Sequence, residues 1–365
     1  MKAWYKKSLA DPLRCEERPD PVLRPGSVIV DVLTVHVPAY LTAMVDSTEI
    51  PLPVPLILGA GGVGLVTEVA DDVYSLSCGD LVALDSLVES GDHVFPEDVL
   101  MGLGEIGGRA IETETVKTMR DQWRDGTMAQ KVVMPASAVT RLPGDTPNDD
   151  VARLAFLTWL GIAGEGVIQS GQRPGDVVAI LGATGQMGGA AVLVALAHGA
   201  SRVIAVGRND EALKRLEELD DRVSIVRLSG DIGEDTKAIT AIEKPHIVID
   251  AAGDVGNADV FLAAFGALRD EGTIIMMGGT RCDVPVSYSE VVRRRLNIKG
   301  SRMYRSQTMA EIWRLVQSGL IDLARVDVQT VGIDDPKTAI DLAARSSGLS
   351  IVALLPWAIA ERSGS

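Results

Sequence analysis

Residues 176–210 constrain this chain more than any other stretch. An apolar strand, Val177 to Leu181, leads into glycines at 182, 185 and 188. An uncharged helix follows from about Met187 to Ala197 and stops at His198-Gly199, a C-terminal cap. A second apolar strand runs from Arg202 to Val206. Strand, glycine turn, helix and strand in this order open a dinucleotide-binding βαβ unit. The glycines let backbone approach a pyrophosphate, and the helix N-terminus offers it N–H donors. Gly182, Ala183, Thr184, Gly185, Gln186 and Met187 are the candidate cradle. The spacing is G-x-x-G-x-x-G rather than G-x-G-x-x-G. The competing reading is that the glycines serve close helix–strand packing alone.

The tip of the second strand selects the cofactor. A carboxylate there would bond a ribose 2′-hydroxyl. This chain has Gly207-Arg208-Asn209 instead. Nothing repels a 2′-phosphate, and Arg208 can pair with it, which favours NADPH. The alternative keeps Arg208 as a solvated loop residue and Asn209 as the cap of the next helix.

At 365 residues the chain has room for two domains. Its net charge of −15 argues against nucleic acid and anionic membrane as partners. Cys15, Cys78 and Cys282 are odd in number and widely spaced, so they form neither a disulfide framework nor a metal motif. A cytoplasmic location is the expectation, because no signal peptide opens the sequence. Pro51–Thr67 and Val177–Ala197 are uncharged but broken by Pro or Gly, so neither is expected to span a membrane.

Residues 1–150 are β-rich, with strands expected at Val28–Leu33, Gly64–Ala70, Asp80–Leu84 and Lys131–Pro135. Residues 85–127 form a polar insertion with a helix near Thr115–Arg124. Strand and helix alternate over 151–300, with strands at Val177–Leu181, Arg202–Val206, Val223–Arg227, His246–Asp250 and Thr273–Met277. Such alternation predicts a doubly wound parallel sheet. Ala252, Gly253, Gly278 and Gly279 fall at its carboxyl edge, where ligands bind; turn geometry alone also explains these glycines. Two helices and two strands follow, and the last strand, Ser350–Leu355, is expected to return to the first part of the chain.

These features together resemble the medium-chain dehydrogenase/reductase superfamily. The resemblance rests on Met1-Lys2-Ala3, Val28 to Val32, Gly59 to Val69 with Cys78-Gly79-Asp80-Leu81-Val82, Gly126 to Val132, the glycine turn and the Gly300 to Leu320 tail. It implies a GroES-like catalytic domain (1–150 and 301–365), a Rossmann domain (151–300), a cleft between them and a homodimer. The zinc enzymes of the family carry a Cys where Pro38 stands, and a Gly-His-Glu where Gly59-Ala60-Gly61 stands. The four-cysteine lobe is also missing from 85–127. No metal is therefore expected, and His36, His93, His198 and His246 show no paired spacing.

Without zinc, a side chain or backbone donor must stabilise charge on the substrate oxygen. Tyr40, two residues past Pro38, is the first candidate, with packing alone as the alternative; Tyr304 is the second. The resemblance brings the 300–305 segment near the cofactor, making Arg302 and Arg305 candidates for contact, and sets Thr158 near the nicotinamide. Asp85 and His93 are further candidates to face the cleft. The implied activity is zinc-independent, NADPH-dependent hydride transfer to a small organic acceptor, resembling the quinone oxidoreductases: a conjugated enone or quinone first, a carbonyl or imine second. A non-catalytic NADPH-binding sensor is the reading from another class.

Overall fold

Every strand between Val177 and Gly300 runs the same way. The computed structural model describes residues 1–46, 52–104, 112–144, 150–253 and 256–358. In it Val223–Arg227, Arg202–Gly207, Val177–Leu181, Ile247–Asp250, Thr273–Met276 and Asn297–Gly300 lie side by side in that order, all parallel. Strands covered on both faces are apolar throughout, and all of Val177–Leu181 is buried. The order reverses between Val177–Leu181 and Ile247–Asp250, which opens a crevice beyond their carboxyl ends. Asn297–Gly300, unexpected from the sequence, is an edge strand with all four residues exposed.

The second large sheet is mostly antiparallel. Its order is Val139–Arg141, Leu81–Leu84, Val63–Val69, Ser27–Val37, Ser350–Leu355 and Asp327–Gly332, with Lys131–Pro135 also pairing onto Ser27–Val37. Ser350–Leu355 does return to the first part of the chain, pairing Val352 with Val37 and Ala353 with His36. Ser27–Val37 continues four residues past the expected Leu33. That extension carries His36 inward, because its apolar neighbours Val35 and Val37 are fully buried.

The insertion is a short hairpin, Leu87–Glu89 with Asp98–Leu100, followed by the helix Glu114–Gln122. Residues 105–111 of it lie outside the described residues, as does the closing Ser-Gly-Ser. Residues 151–170 are helical and long and apolar enough to cross a membrane, but most of this stretch is buried inside the protein. The helix Leu157–Ser170 packs on Gln186–Ala197 and on Ser306–Gln317, joining the two halves of the core.

Candidate active site

A cleft opens where the long strand Ser27–Val37 ends. It holds about 40 Å³ of free space, and its walls are largely apolar, among them Met128, Trp159, Ile162 and Met303. Pro38 follows the strand, and its carbonyl accepts the Leu41 N–H at 3.0 Å, starting the helix Leu41–Asp46. This turn delivers Tyr40 to the cleft, with its ring edge-on to Trp159 at 6.3 Å. Among the described residues its hydroxyl has no hydrogen-bond partner. Tyr40 is 42% exposed, yet the crowded apolar walls push its phenol up to about 12. Water in the open mouth moderates that shift, and either way the group stays protonated at neutral pH.

The opposite wall is backbone. Gly59, Gly61 and Gly62 all have positive φ. A Cβ at Gly61 would lie 2.3 Å from Thr158 Oγ1, so the loop approaches Thr158 at a distance only glycine permits. Thr158 is buried and lines the cleft. Met303 lines it from the far side, with φ at 55°.

His36 is buried in the cleft floor, and burial lowers its pKa to about 3. The Trp159 indole donates to its Nε2 at 3.0 Å. An indole N–H only donates, so Nε2 accepts and the ring is neutral. Gln186 Oε1, 3.2 Å from the same nitrogen, is then a contact rather than a second bond. Gln186 Nε2 donates to the Ser350 carbonyl at 3.0 Å. The Gln186 side chain therefore points into the protein, leaving only its backbone for a ligand.

The glycine turn forms as the sequence indicates. Gly182 has φ at 66°, and a Cβ there would lie 2.7 Å from Ala252 Cα, across the crevice. Gly185 caps the helix Gln186–Ala197. A Cβ at Gly188 would lie 2.1 Å from the Gly182 carbonyl oxygen. Gly188 thus serves helix–strand packing, while Gly182 and Gly185 leave the turn open. The Ala183 N–H is spent on Val206, and Thr184 packs against Gly207, where a Cβ would meet its Cγ2 at 2.6 Å. Met187 is half-buried in the first helical turn, whose N–H groups have no intrahelical partner.

Arg208 is exposed and, among the described residues, has no hydrogen-bond or ion-pair partner. The Asn209 side chain accepts the Ala212 N–H at 3.1 Å as a helix cap. Across the crevice the Gly279 N–H donates to Ala252 at 2.8 Å, and a Cβ at Gly278 would meet that same carbonyl at 2.2 Å. Gly253 has open space around it. Just behind, burial pushes Asp250 up to about 6.

Several expected residues go elsewhere. Tyr304 is 1% exposed, and its hydroxyl donates to the Leu84 carbonyl at 3.1 Å. It packs in the core and does not line the cleft, so its expected role as proton donor is corrected. Arg305 faces Glu89 at 3.6 Å and Glu165 at 3.7 Å, and Arg302 pairs with Asp98. Two carboxylates thus occupy Arg305, and the expected cofactor contact is corrected too. His93 is exposed, and Asp85 lines a different cavity. Trp159 lines the cleft with no sequence motif to mark it, and Met128 and Met303 line it from segments that carried the resemblance without showing which way their side chains face.

Two family matches divide the chain between them. The alcohol dehydrogenase GroES-like domain family matches residues 24–144, and the zinc-binding dehydrogenase family matches 187–318. The chain belongs to the medium-chain dehydrogenase/reductase superfamily. It is an oxidoreductase of that type with a GroES-like part and a Rossmann sheet. It is 28% identical over 344 residues to an alcohol dehydrogenase of Geobacillus stearothermophilus, covering 92% of this chain and 93% of that one. An L-threonine 3-dehydrogenase of Anaeromyxobacter dehalogenans is 29% identical over 313 residues, with 85% and 84% covered. The solved alcohol dehydrogenase from Thermus sp. ATN1 has the same fold, with a TM-score of 0.80 at 22% identity, covering 97% and 99%.

The superfamily brings two expectations for bound groups. The cradle of Gly182, Gly185 and the first turn of Gln186–Ala197 fits the pyrophosphate of an NAD(P) dinucleotide. Zinc does not fit the cleft. Pro38 and Ala60 have no donor atom there, and a side chain at Gly61 would strike Thr158. His36 has already given its lone pair to Trp159. Among the described residues no three His, Cys, Asp or Glu side chains gather as a metal site.

Proposed function

We propose that this chain is a metal-independent, NADPH-dependent reductase, which passes hydride to a small apolar acceptor, a conjugated enone or a quinone. The cleft's donor set carries the reading: no ligating side chain at 38, 60 or 61, and a free hydroxyl on Tyr40. When bound, the nicotinamide supplies the hydride. The residues of the chain bind, orient and stabilise.

Backbone N–H groups at the start of Gln186–Ala197, with Gly182 and Gly185, hold the pyrophosphate. Arg208 takes the 2′-phosphate, and Gly207 leaves no carboxylate to oppose it. Ala252, Gly253, Gly278 and Gly279 floor the crevice, and Thr158 closes the inner end of the cleft. Tyr40 donates a hydrogen bond to the oxygen that gains negative charge, an enolate in conjugate reduction or an alkoxide in carbonyl reduction. Low-dielectric walls strengthen that bond. The same reading pairs two copies of the chain through the edge strand Asn297–Gly300.

Carbonyl or imine reduction is the second reading, favoured by the uncommitted Tyr40 hydroxyl. The deciding experiment follows oxidation of NADPH and NADH with a chelator present, against quinones, enones, aldehydes, ketones and cyclic imines. Turnover of enones or quinones with NADPH preferred supports the proposal. Turnover of carbonyls or imines alone moves it to the second reading. Activity lost to the chelator sinks the metal-free reading. Tight NADPH binding with no turnover of any acceptor points to a sensor.

A further inference from the structure

The cleft is narrow for an organic acceptor. Its free space of about 40 Å³ is room for a few water molecules, against about 300–1,000 Å³ for small-molecule sites in general. A wall therefore decides what enters. Pro38, Gly59 and Ala60 bring little more than backbone to the lining. Tyr40 is partly exposed and its hydroxyl is free, so it can turn toward solvent. Met303 is unbranched and adapts to what it touches. Trp159 is the largest side chain of the lining, and it is fixed.

Trp159 reaches the cleft from the helix Leu157–Ser170 and is 8% exposed. Its indole N–H donates to His36 Nε2 at 3.0 Å. The imidazole meets the indole edge-on, with ring centres 5.1 Å apart, and the Tyr40 ring meets it edge-on at 6.3 Å. His36 cannot follow the indole outward. It is buried within the strand Ser27–Val37, and its backbone is paired with Ala353. An aliphatic side chain could fill this buried place as well. What the imidazole adds is an acceptor aimed at the indole, which also offsets the cost of burying a polar ring.

We propose that Trp159 sets the size of the acceptor, and that His36 is the positioning residue that holds its indole in the cleft. The inference rests on the hydride-transfer reading and narrows it: the acceptor is compact, with no bulky substituent on its double bond. A fixed wall rejects a larger group by overlap, and a close-packed interior does not yield by small shifts. With a methyl in place of the indole, that overlap is gone.

Two enones that differ in one group test it: ethylideneacetone, with a methyl on the β-carbon, and benzylideneacetone, with a phenyl there. In the wild type, kcat/KM with NADPH is expected to favour the methyl enone. Trp159→Ala should shift that ratio at least tenfold toward the phenyl enone. His36→Leu removes the acceptor for the indole and should shift the ratio several-fold in the same direction. His36→Gln supplies an acceptor again and should return it toward wild type. A merely structural His36 would lower Tm in both variants and leave the ratio alone. An unchanged ratio in Trp159→Ala, or a wild type that prefers the phenyl enone, overturns the proposal. Equal ratios in the two His36 variants overturn the role given to His36. Should Trp159→Ala fail to fold, an unchanged ratio in Trp159→Phe overturns the proposal. Should no form of the chain reduce either enone, the hydride-transfer reading falls, and calorimetry with the saturated pair, methyl propyl ketone and benzylacetone, still reads the size limit. Trp159→Ala is then expected to gain at least tenfold in affinity for benzylacetone relative to methyl propyl ketone, and no relative gain overturns the proposal.

Discussion

Tyr40 and Arg208 are the two residues on which the functional reading turns, and each can be tested alone. Losing one donor to a developing oxyanion costs about 3–4 kcal/mol. Tyr40→Phe is therefore expected to lower kcat for a carbonyl acceptor by at least a hundredfold. An enone should lose about tenfold, because its final proton can come from water. Equal kcat in wild type and variant would return Tyr40 to packing alone. A hydrogen bond to a charged group contributes about 1.5–3 kcal/mol, so Arg208→Ala should raise KM for NADPH at least tenfold and leave NADH unchanged. Steady-state KM for both cofactors decides it. The position of Arg208 at the tip of its strand was legible because the strand and glycine turn are local in sequence. Tyr304 was not: being near position 300 says nothing of which way a ring points, and the Leu84 carbonyl that claims it lies 220 residues away. Trp159 was equally hidden, since its orientation comes from His36, 123 positions upstream.

The helix Gln186–Ala197 is the element that ties binding to packing. A methyl at Gly188 must displace the Gly182 carbonyl. Overpacking of this kind costs about 1–3 kcal/mol, and here it also shifts the turn proposed to hold the pyrophosphate. Gly188→Ala should lower Tm by several degrees and weaken NADPH at least as much as NADH, unlike Arg208→Ala. A melting curve with and without cofactor separates the two effects. The sequence marked this helix and its flanking strands because hydrophobicity changed sharply at each end. It did not mark Ile232–Ile242, where polar and apolar residues are mixed, or the short Tyr288–Arg294. Their signals were at the caps: Asp231 accepts the Glu234 N–H, and Ser287 accepts the Glu290 N–H.

Over the whole molecule, two buried groups tilt stability against pH in opposite directions. Asp250 titrates near 6 when folded, against 3.8 unfolded. The folded chain therefore holds an extra proton between those values, and stability falls as pH rises through them. The full effect is roughly 3 kcal/mol. His36, lowered to about 3, does the reverse, and stability falls as pH drops below 6.5. Asp250→Asn should be more stable than wild type at pH about 7.5 and similar at pH about 4. Denaturant unfolding at both pH values checks this, and an equal gap at both would refute it. Assembly is a property of the same scale. Ile298 is 36% exposed on the edge strand and Met276 37% on its neighbour. If two copies pair there, light scattering should give twice the chain mass, and Ile298→Lys should halve it. A monomeric wild type removes the dimer.

The bond from Gln186 to the Ser350 carbonyl also bears on how this chain could be recombined. Gln186 opens the nucleotide helix, while His36 and Ser350 belong to adjacent strands of the other sheet. A hybrid that borrows residues 151–300 from a relative brings a foreign side chain to position 186. The Ser350 carbonyl would then lose its donor inside the protein. A successful graft must therefore carry that glutamine with it, along with Trp159, which donates to His36 across the same seam.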